Sequence, residues 1–376
     1  MHVHSATLLA YACLATLPAA EAPAAATDPT QPRIQLAILL DTSSSMSGLI
    51  DQARARIWSI VNDLTSASHG GRAPRLEVAL YEYGKSSLPQ EEHWLRQILP
   101  MGNDLDRLSE HLFTLTTNGG EEYCGAVIDQ AVRNLSWSQG PNDLREILIA
   151  GNEPFTQGPV DALAACRSAI AKGIIVNTIH CGTDSAGRAG GWPEGARAAE
   201  GAYLVIDHNA VAAPPTAPQD DELAKLNLDI NKTYLPYGAG GIAGAQRQEA
   251  QDGNASSIGS SVLANRAASK ASGYYTNGSW DLVDAVKEAK VKLEELPADQ
   301  LPESLRALAP QARAVKVAEF AAERARLQKR MGELAVAREA WLAEQRRAAI
   351  GPATLDDAIT TALRAQAKAK GYVYAR

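Results

Sequence analysis

The chain has 376 residues, a formal net charge of −7 and 45% hydrophobic residues, enough for two domains or for one domain with a long appendage. The acidic balance excludes nucleic acid as a main partner, because such binders carry a basic excess or a basic stripe. Aromatic residues make up only 5% and alanine is abundant, which favours long helices over a β-sandwich.

Residues 1–26 read as a signal peptide. A short apolar segment, Ala6 to Leu17, precedes small residues suited to cleavage near Ala24 to Ala26. The segment is too short to span a bilayer, and no later stretch is long and apolar enough. The expectation is an exported chain, periplasmic or secreted, with no transmembrane segment. Residues 27–33 form a polar linker. An apolar run over 36–40 follows, bounded by polar residues, and reads as a strand buried on both faces. It breaks into Asp41-Thr42-Ser43-Ser44-Ser45. Beyond Gly48, the residues Ile50, Ala53, Ile57, Ile60, Val61 and Leu64 recur at helical spacing. One carboxylate and two alternate hydroxyls therefore lie between the carboxyl end of a strand and a helix. In open α/β sheets this is where ligands bind. Such oxygens suit Mg²⁺, Ca²⁺ or Mn²⁺ rather than Zn²⁺. Helix capping accounts for one such residue, not for the ordered set.

Further strands are expected over 76–83, 94–100, 144–150, 174–181 and 201–207, from β-branched content and alternation. Helices are expected over 103–112, from the Gly-rich loop after Leu115 to about Leu135, over 160–171 and over 194–200. The βα rhythm from 34 to 207 predicts a mostly parallel sheet. No Gly-x-Gly-x-x-Gly and no Gly-Lys-Ser/Thr phosphate loop accompany it, so a nucleotide site is unsupported.

Asp-x-Ser-x-Ser after a buried strand and before a helix resembles the metal-ion-dependent adhesion site of von Willebrand factor type A domains, with Asp41, Ser43 and Ser45 at the matching positions. The resemblance covers 33–210. It implies an α/β, doubly wound, mostly parallel, Rossmann-like sheet with an antiparallel edge strand at 94–100. It also implies a bound Mg²⁺ (or Mn²⁺ or Ca²⁺), a protein partner at the metal face whose acidic group completes the ion's coordination, and no enzymatic activity. Two loops depart from the pattern. After Gly119-Gly120, where the family supplies a threonine, this chain has Glu121 with Glu122 beside it; the Thr116 and Thr117 hydroxyls lie just upstream. After the strand at 144–150, where the family has Asp-Gly, this chain has Gly151-Asn152, and the nearest carboxylate is Glu153. Glu121 and Glu153 therefore join Asp41, Ser43 and Ser45 as candidate ligands.

Two other readings compete with a binding module. A metal-free scaffold would act through a C-terminal helical arm. A hydrolase would use Ser43 or Ser45 with His180, or Glu121, Glu122 and Glu153 around a metal, but no Gly-x-Ser-x-Gly turn is present. Tyr123, Phe155 and Trp192 fall in loops expected on the same rim, as partner contacts or as plugs. Of Cys124, Cys166 and Cys181, one pair is expected to form a disulfide in an oxidising compartment, leaving one buried thiol.

Residues 223–295 read as a helical and irregular extension packed on the sheet domain, with one helix over 245–270 and Tyr274, Tyr275 and Trp280 as anchors. Three prolines over 297–310 mark a break. From 311 to 347 runs a long amphipathic helix. Phe320, Leu327, Leu334 and Trp341 recur every seventh residue, with Val317, Arg324, Met331 and Arg338 on the adjoining row. Such a stripe is either folded back on its own chain or a coiled-coil arm for a partner or a second copy, a homo-oligomer. Residues 351–376 form a C-terminal tail that caps or recruits.

Overall fold

The computed structural model describes residues 31–206, 215–348 and 355–374; the proposed signal peptide and residues 207–214, where the sheet domain was expected to end, lie outside them. The first apolar run forms β1 (Arg33–Asp41), whose residues are buried from Ile34 onward. A single turn of 3₁₀ helix, Ser44–Met46, leads into α1 (Ser47–Thr65). The chain then forms the short β2 (Ala67–His69), β3 (Arg75–Tyr83), β4 (Leu95–Gly102) and α2 (Leu105–Thr114). Next come α3 (Cys124–Asn134), β5 (Leu144–Gly151), α4 (Ala162–Ala171), β6 (Ile175–Cys181), α5 (Asp184–Ala189), α6 (Trp192–Ala198) and β7 (Tyr203–Ile206).

Six strands make one sheet in the order β4-β3-β1-β5-β6-β7. All neighbours are parallel except β4, which runs antiparallel to β3 at the edge. The two faces of the pleat carry two cores. Leu36, Ile38, Leu40 and Leu148 face α1 and α2. Ala37, Leu39, Ile147 and Ile149 face α3 and α4. This two-sided burial explains why β1 and β5 are apolar runs rather than alternating ones. The result is a doubly wound α/β fold.

The rest of the described chain is helical: α7 (Asp220–Asn231), α8 (Gly241–Ile258), α9 (Ser260–Ala271), α10 (Leu282–Lys287), α11 (Glu303–Arg306), α12 (Pro310–Ala348) and α13 (Leu355–Ala369), ending in β8 (Tyr372–Tyr374). The single helix expected over 245–270 is two helices. They meet at Gly259, where the Gly259 carbonyl accepts the first N–H groups of α9, from Val262 and Leu263. Glycine is a poor helix former, and the sequence periodicity passes across it unmarked.

The segment read as a C-terminal tail belongs to the sheet domain. Ile359, Leu363 and Ala367, four residues apart on one face of α13, are buried in the core that also holds α1. β8 pairs antiparallel with β2. The Tyr372 hydroxyl donates to the Arg33 carbonyl (2.8 Å) and the Asn142 carbonyl (3.0 Å). The helices from α7 to α12 are thus inserted between the last strand of the sheet and the helix that completes its cover.

Within the insertion, α12 is folded back on its own chain. Leu327, Met331 and Leu334 pack in one cluster with Leu223, Tyr234, Tyr275 and Trp280. The two arginines on the stripe are buried and saturated. Arg324 pairs with Asp281 (2.7 Å) and Asp284 (2.9 Å) and donates to the Thr233 carbonyl. Arg338 pairs with Asp220 (2.6 Å) and donates to Asn265 (2.8 Å). A second buried network joins the insertion to α2: Arg266 pairs with Asp106 and Asp252, and Lys270 with Asp252.

The expected disulfide is absent. Cys124, Cys166 and Cys181 are all free and buried. They sit on α3, α4 and β6, and burial pushes each thiol above its ordinary pKa, Cys166 to about 12. Among the described residues, no helix is long and apolar enough to cross a membrane.

Candidate metal centre

The chain passes from β1 to β3 on one side of the sheet and later to β5 on the other. The carboxyl end of β1 is therefore the switch point where adjacent loops diverge and leave a crevice. Asp41 closes β1 there, in register with Tyr83 of β3, while Leu40 is in register with Ala150 of β5.

Asp41 is fully buried. Its Oδ1 accepts the Ser43 N–H at 2.7 Å, and its Oδ2 is buried without a hydrogen-bond partner. The turn after the strand brings Ser43 Oγ within 3.1 Å of Ser45 Oγ. Ser45 in turn donates to Asn152 Oδ1 at 3.2 Å. Thr42, between them, serves the opposite side: its hydroxyl bonds Glu82 (3.3 Å) and the Tyr83 carbonyl (3.1 Å). Glu82 is held by Arg96 (2.5 Å) and Lys85 (3.6 Å). Lys85 also donates to the Thr116 hydroxyl at 2.9 Å, so Thr116 is engaged away from Asp41.

The Gly-rich loop is locked to the β3–β4 connection. Ser86 N–H donates to the Gly119 carbonyl (2.5 Å), and Asn118 N–H to the Thr42 carbonyl (3.2 Å). A Cβ at Gly120 would lie 2.6 Å from the Gly84 carbonyl oxygen, so only glycine fits this approach. The chain leaves that contact with Glu121 turned to solvent and Glu122 buried. This corrects the expectation that placed Glu121 at the site: Glu122 is the carboxylate beside Asp41. Gly84, at φ +80°, sits between the two. A Cβ there would lie 2.6 Å from Glu122 Cγ and 2.7 Å from Asp41 Oδ1.

On the other side, Gly151 admits no side chain. Its Cβ would lie 2.5 Å from the Tyr83 hydroxyl and 3.3 Å from Asp41 Oδ2. The Asn152 amide follows, where the family pattern has a carboxylate. Glu153 is partly exposed, and it reaches Asp41 and Glu122 through its charge. The loop carrying it is pinned by Trp192, whose Nε1 donates to the Glu153 carbonyl at 2.9 Å.

Burial lifts the Asp41 carboxyl to about 7, against the Ser43 hydrogen bonds and with a further push from Glu153. Burial, then the charges of Asp41 and Glu153, lift Glu122 to about 7 as well. The arrangement is thus two neighbouring carboxylates that resist ionising together, two hydroxyls and one orphaned oxygen. Among the described residues, no group of three or more His, Cys, Asp or Glu side chains converges on a metal position. A cation here would therefore have to use the serine hydroxyls.

Phe155 and Trp192 are fully buried, with ring centroids 5.2 Å apart, so both are plugs. His180 is buried against Trp192, with ring centroids 5.6 Å apart. Tyr123 alone of the three expected rim aromatics stays near the surface. It meets Trp94 edge-on at 5.5 Å and His93 at 6.3 Å; Trp94, expected to open the strand over 94–100, lies just before β4.

No family model and no curated protein matches the chain. Among solved structures it is similar to the conserved hypothetical protein BatB from Bacteroides thetaiotaomicron, at 17% identity over 46% of this chain and 90% of that one, TM-score 0.36. It is similar to the SpRpn10 VWA domain, at 15% identity over 49% of this chain and 90% of that one, TM-score 0.35. A third is proximal thread matrix protein 1 from the mussel byssus with a zinc-occupied MIDAS motif, at 11% identity over 48% and 43%, TM-score 0.37.

Proposed function

We propose that the chain is an exported protein-binding module of the von Willebrand factor type A kind that holds a divalent cation at the carboxyl end of β1. Asp41 would supply a carboxylate oxygen, Ser43 and Ser45 hydroxyl oxygens, and Glu122 a second carboxylate. The donor set is hard oxygen throughout, which suits Mg²⁺, Mn²⁺ or Ca²⁺. The observation that carries the reading is Asp41 Oδ2, a buried carboxylate oxygen that makes no hydrogen bond. Such a group is costly unless something positive meets it. Binding rather than catalysis is the reading, with a protein partner engaged at this rim. The scaffold alternative is weaker, because the apolar seam of α12 is already covered by the chain's own α7, α9 and α10. Export rests on the composition of residues 1–26.

The test is thermal unfolding of the chain without residues 1–26, with chelator and then with Mg²⁺ or Mn²⁺. At a hundredfold excess over Kd the ion contributes about 2.7 kcal/mol, a rise of roughly 4 °C for a chain of about 350 residues at ~2.1 cal/mol/K of unfolding entropy per residue. Asp41→Ala is expected to abolish the rise. An unchanged melting temperature in the wild type at millimolar metal would refute the cation reading.

A further inference from the structure

A groove of about 1040 Å³ lies between α7 and α8, on helices that contribute nothing to the candidate metal centre. Its polar lining includes two pairs of residues, each pair one helical turn apart: Asn227 and Asn231 on α7, Gln248 and Asp252 on α8. Hydrogen bonds tie the two helices together there. Asn227 Nδ2 donates to Asp252 Oδ2 at 2.8 Å, and Asn231 Nδ2 donates to the same oxygen at 2.6 Å. The bond to Asp252 fixes which end of the Asn227 amide is the nitrogen. The other end, Oδ1, is buried and makes no hydrogen bond. Gln219, Ser261, Asn277 and Glu288 also carry buried unpartnered atoms in the insertion, but none of these four residues lines the groove. A buried acceptor left unmatched costs the desolvation of the group, so what the groove lacks is a donor.

The remaining lining sets the kind of donor. Ala224, Leu228, Ala245 and Leu263 give apolar walls, and Leu228 keeps 63% of its surface exposed. Tyr234 adds a ring held in place by Trp280, with centroids 5.6 Å apart, and by the Arg324 guanidinium 4.0 Å from its centroid. Charge is balanced. In the buried network that includes Asp252, two acids, Asp106 and Asp252, pair with two bases, Arg266 and Lys270. The other charged lining residues, Asp221, Lys225, Lys232 and Glu249, also sum to zero. An anionic ligand gains little from cations already paired with Asp106 and Asp252, and a cationic one gains little from those same acids. A largely apolar groove with a few placed polar groups is the common form of a small-ligand site.

We propose that the groove between α7 and α8 binds a neutral oligosaccharide, one of whose hydroxyls donates to Asn227 Oδ1. A hydroxyl both donates and accepts, so further hydroxyls meet the carboxylates and ammonium groups of the rim. The C–H faces of the sugar rings lie on Leu228 and Tyr234. The volume stands at the upper end of small-ligand sites, room for several rings rather than one. A peptide main chain is commonly captured on a strand edge, whereas this groove is walled by helices and the turn after α7.

The probe is an array of neutral oligosaccharides with their sulfated and amino-sugar counterparts and a set of neutral hexapeptides, read with the fluorescently labelled full chain. Chelator is present throughout, which keeps any cation at β1 out of the measurement. Neutral oligosaccharides are expected to retain the chain and the other probes not. The tightest neutral binder is then titrated by calorimetry. Gly253 lines the groove within α8, and a Cβ there meets nothing within 4 Å. Gly253→Trp therefore fills the groove without displacing a contact, and is expected to abolish binding while the melting temperature holds or rises, since glycine is a poor helix former. Asn227→Leu should weaken binding about tenfold, the loss of one buried hydrogen bond. Gly332→Trp on α12, an equally open position outside the groove, should leave binding unchanged. The proposal is overturned if no neutral oligosaccharide is retained, if the charged sugars or the peptides are preferred, or if Gly253→Trp titrates like the wild type. The metal-induced thermal shift is a separate readout, so the cation reading stands or falls without reference to these results.

Discussion

Asp41→Asn in chelator tests the electrostatics of the centre without requiring that any ion bind. Asn keeps the size of the side chain and the oxygen that accepts the Ser43 N–H, but removes the charge. Burial raises the Asp41 carboxyl from its ordinary 3.8 to about 7. Between those values the folded state holds a proton that the unfolded state has released, so stability falls as pH rises from about 4 to about 7 and stays low above that. The difference corresponds to about 4 kcal/mol, a large part of a typical domain's 5–15 kcal/mol. Urea unfolding followed by circular dichroism at a series of pH values is the assay, with chelator throughout. Asp41→Asn should match the wild type near pH 4 and exceed it by about 4 kcal/mol above pH 7, with m unchanged. A wild type equally stable at pH 5 and pH 8, or a variant less stable than the wild type at pH 8, would show that the buried carboxylate is already compensated within the chain.

Two further outcomes concern the rest of the molecule. Arg324→Met should destabilise by about 3–5 kcal/mol, because it leaves Asp281 and Asp284 buried without the guanidinium that pairs them at 2.7 and 2.9 Å; a loss under about 1 kcal/mol in urea unfolding would mean that those carboxylates are compensated elsewhere. Cys124, Cys166 and Cys181, free and buried, should ignore a thiol-reactive dye in the native state and all react in denaturant. A disulfide found by mass analysis of the unreduced chain contradicts this.

The architecture was legible because β1 and β5 are buried on two faces and so read as unbroken apolar runs. The place of Asp41, Ser43 and Ser45 was legible for a related reason, since the first polar residues after such a strand stand at the sheet's carboxyl edge. The choice between Glu121 and Glu122 was not legible. It depends on Gly120 packing against the Gly84 carbonyl, a contact between loops more than thirty residues apart. Arg324 and Arg338 looked like flaws in an apolar stripe, because their partners Asp281, Asp284 and Asp220 lie on other helices. The role of α13 was hidden in the same way. Ile359, Leu363 and Ala367 mark a helix with an apolar face, and nothing local to them says that the face belongs against α1, some three hundred residues earlier.

That long return has a consequence for biosynthesis. The strand at 33–41 leaves the ribosome more than three hundred residues before Tyr372, which hydrogen-bonds the Arg33 carbonyl. Until then one flank of the nascent sheet lacks its lid, while the helices from α7 to α12 emerge and settle beside it. Any shortened product ending within those helices would carry that bare flank permanently, and transiently exposed apolar surface of this kind is what makes folding intermediates prone to aggregate.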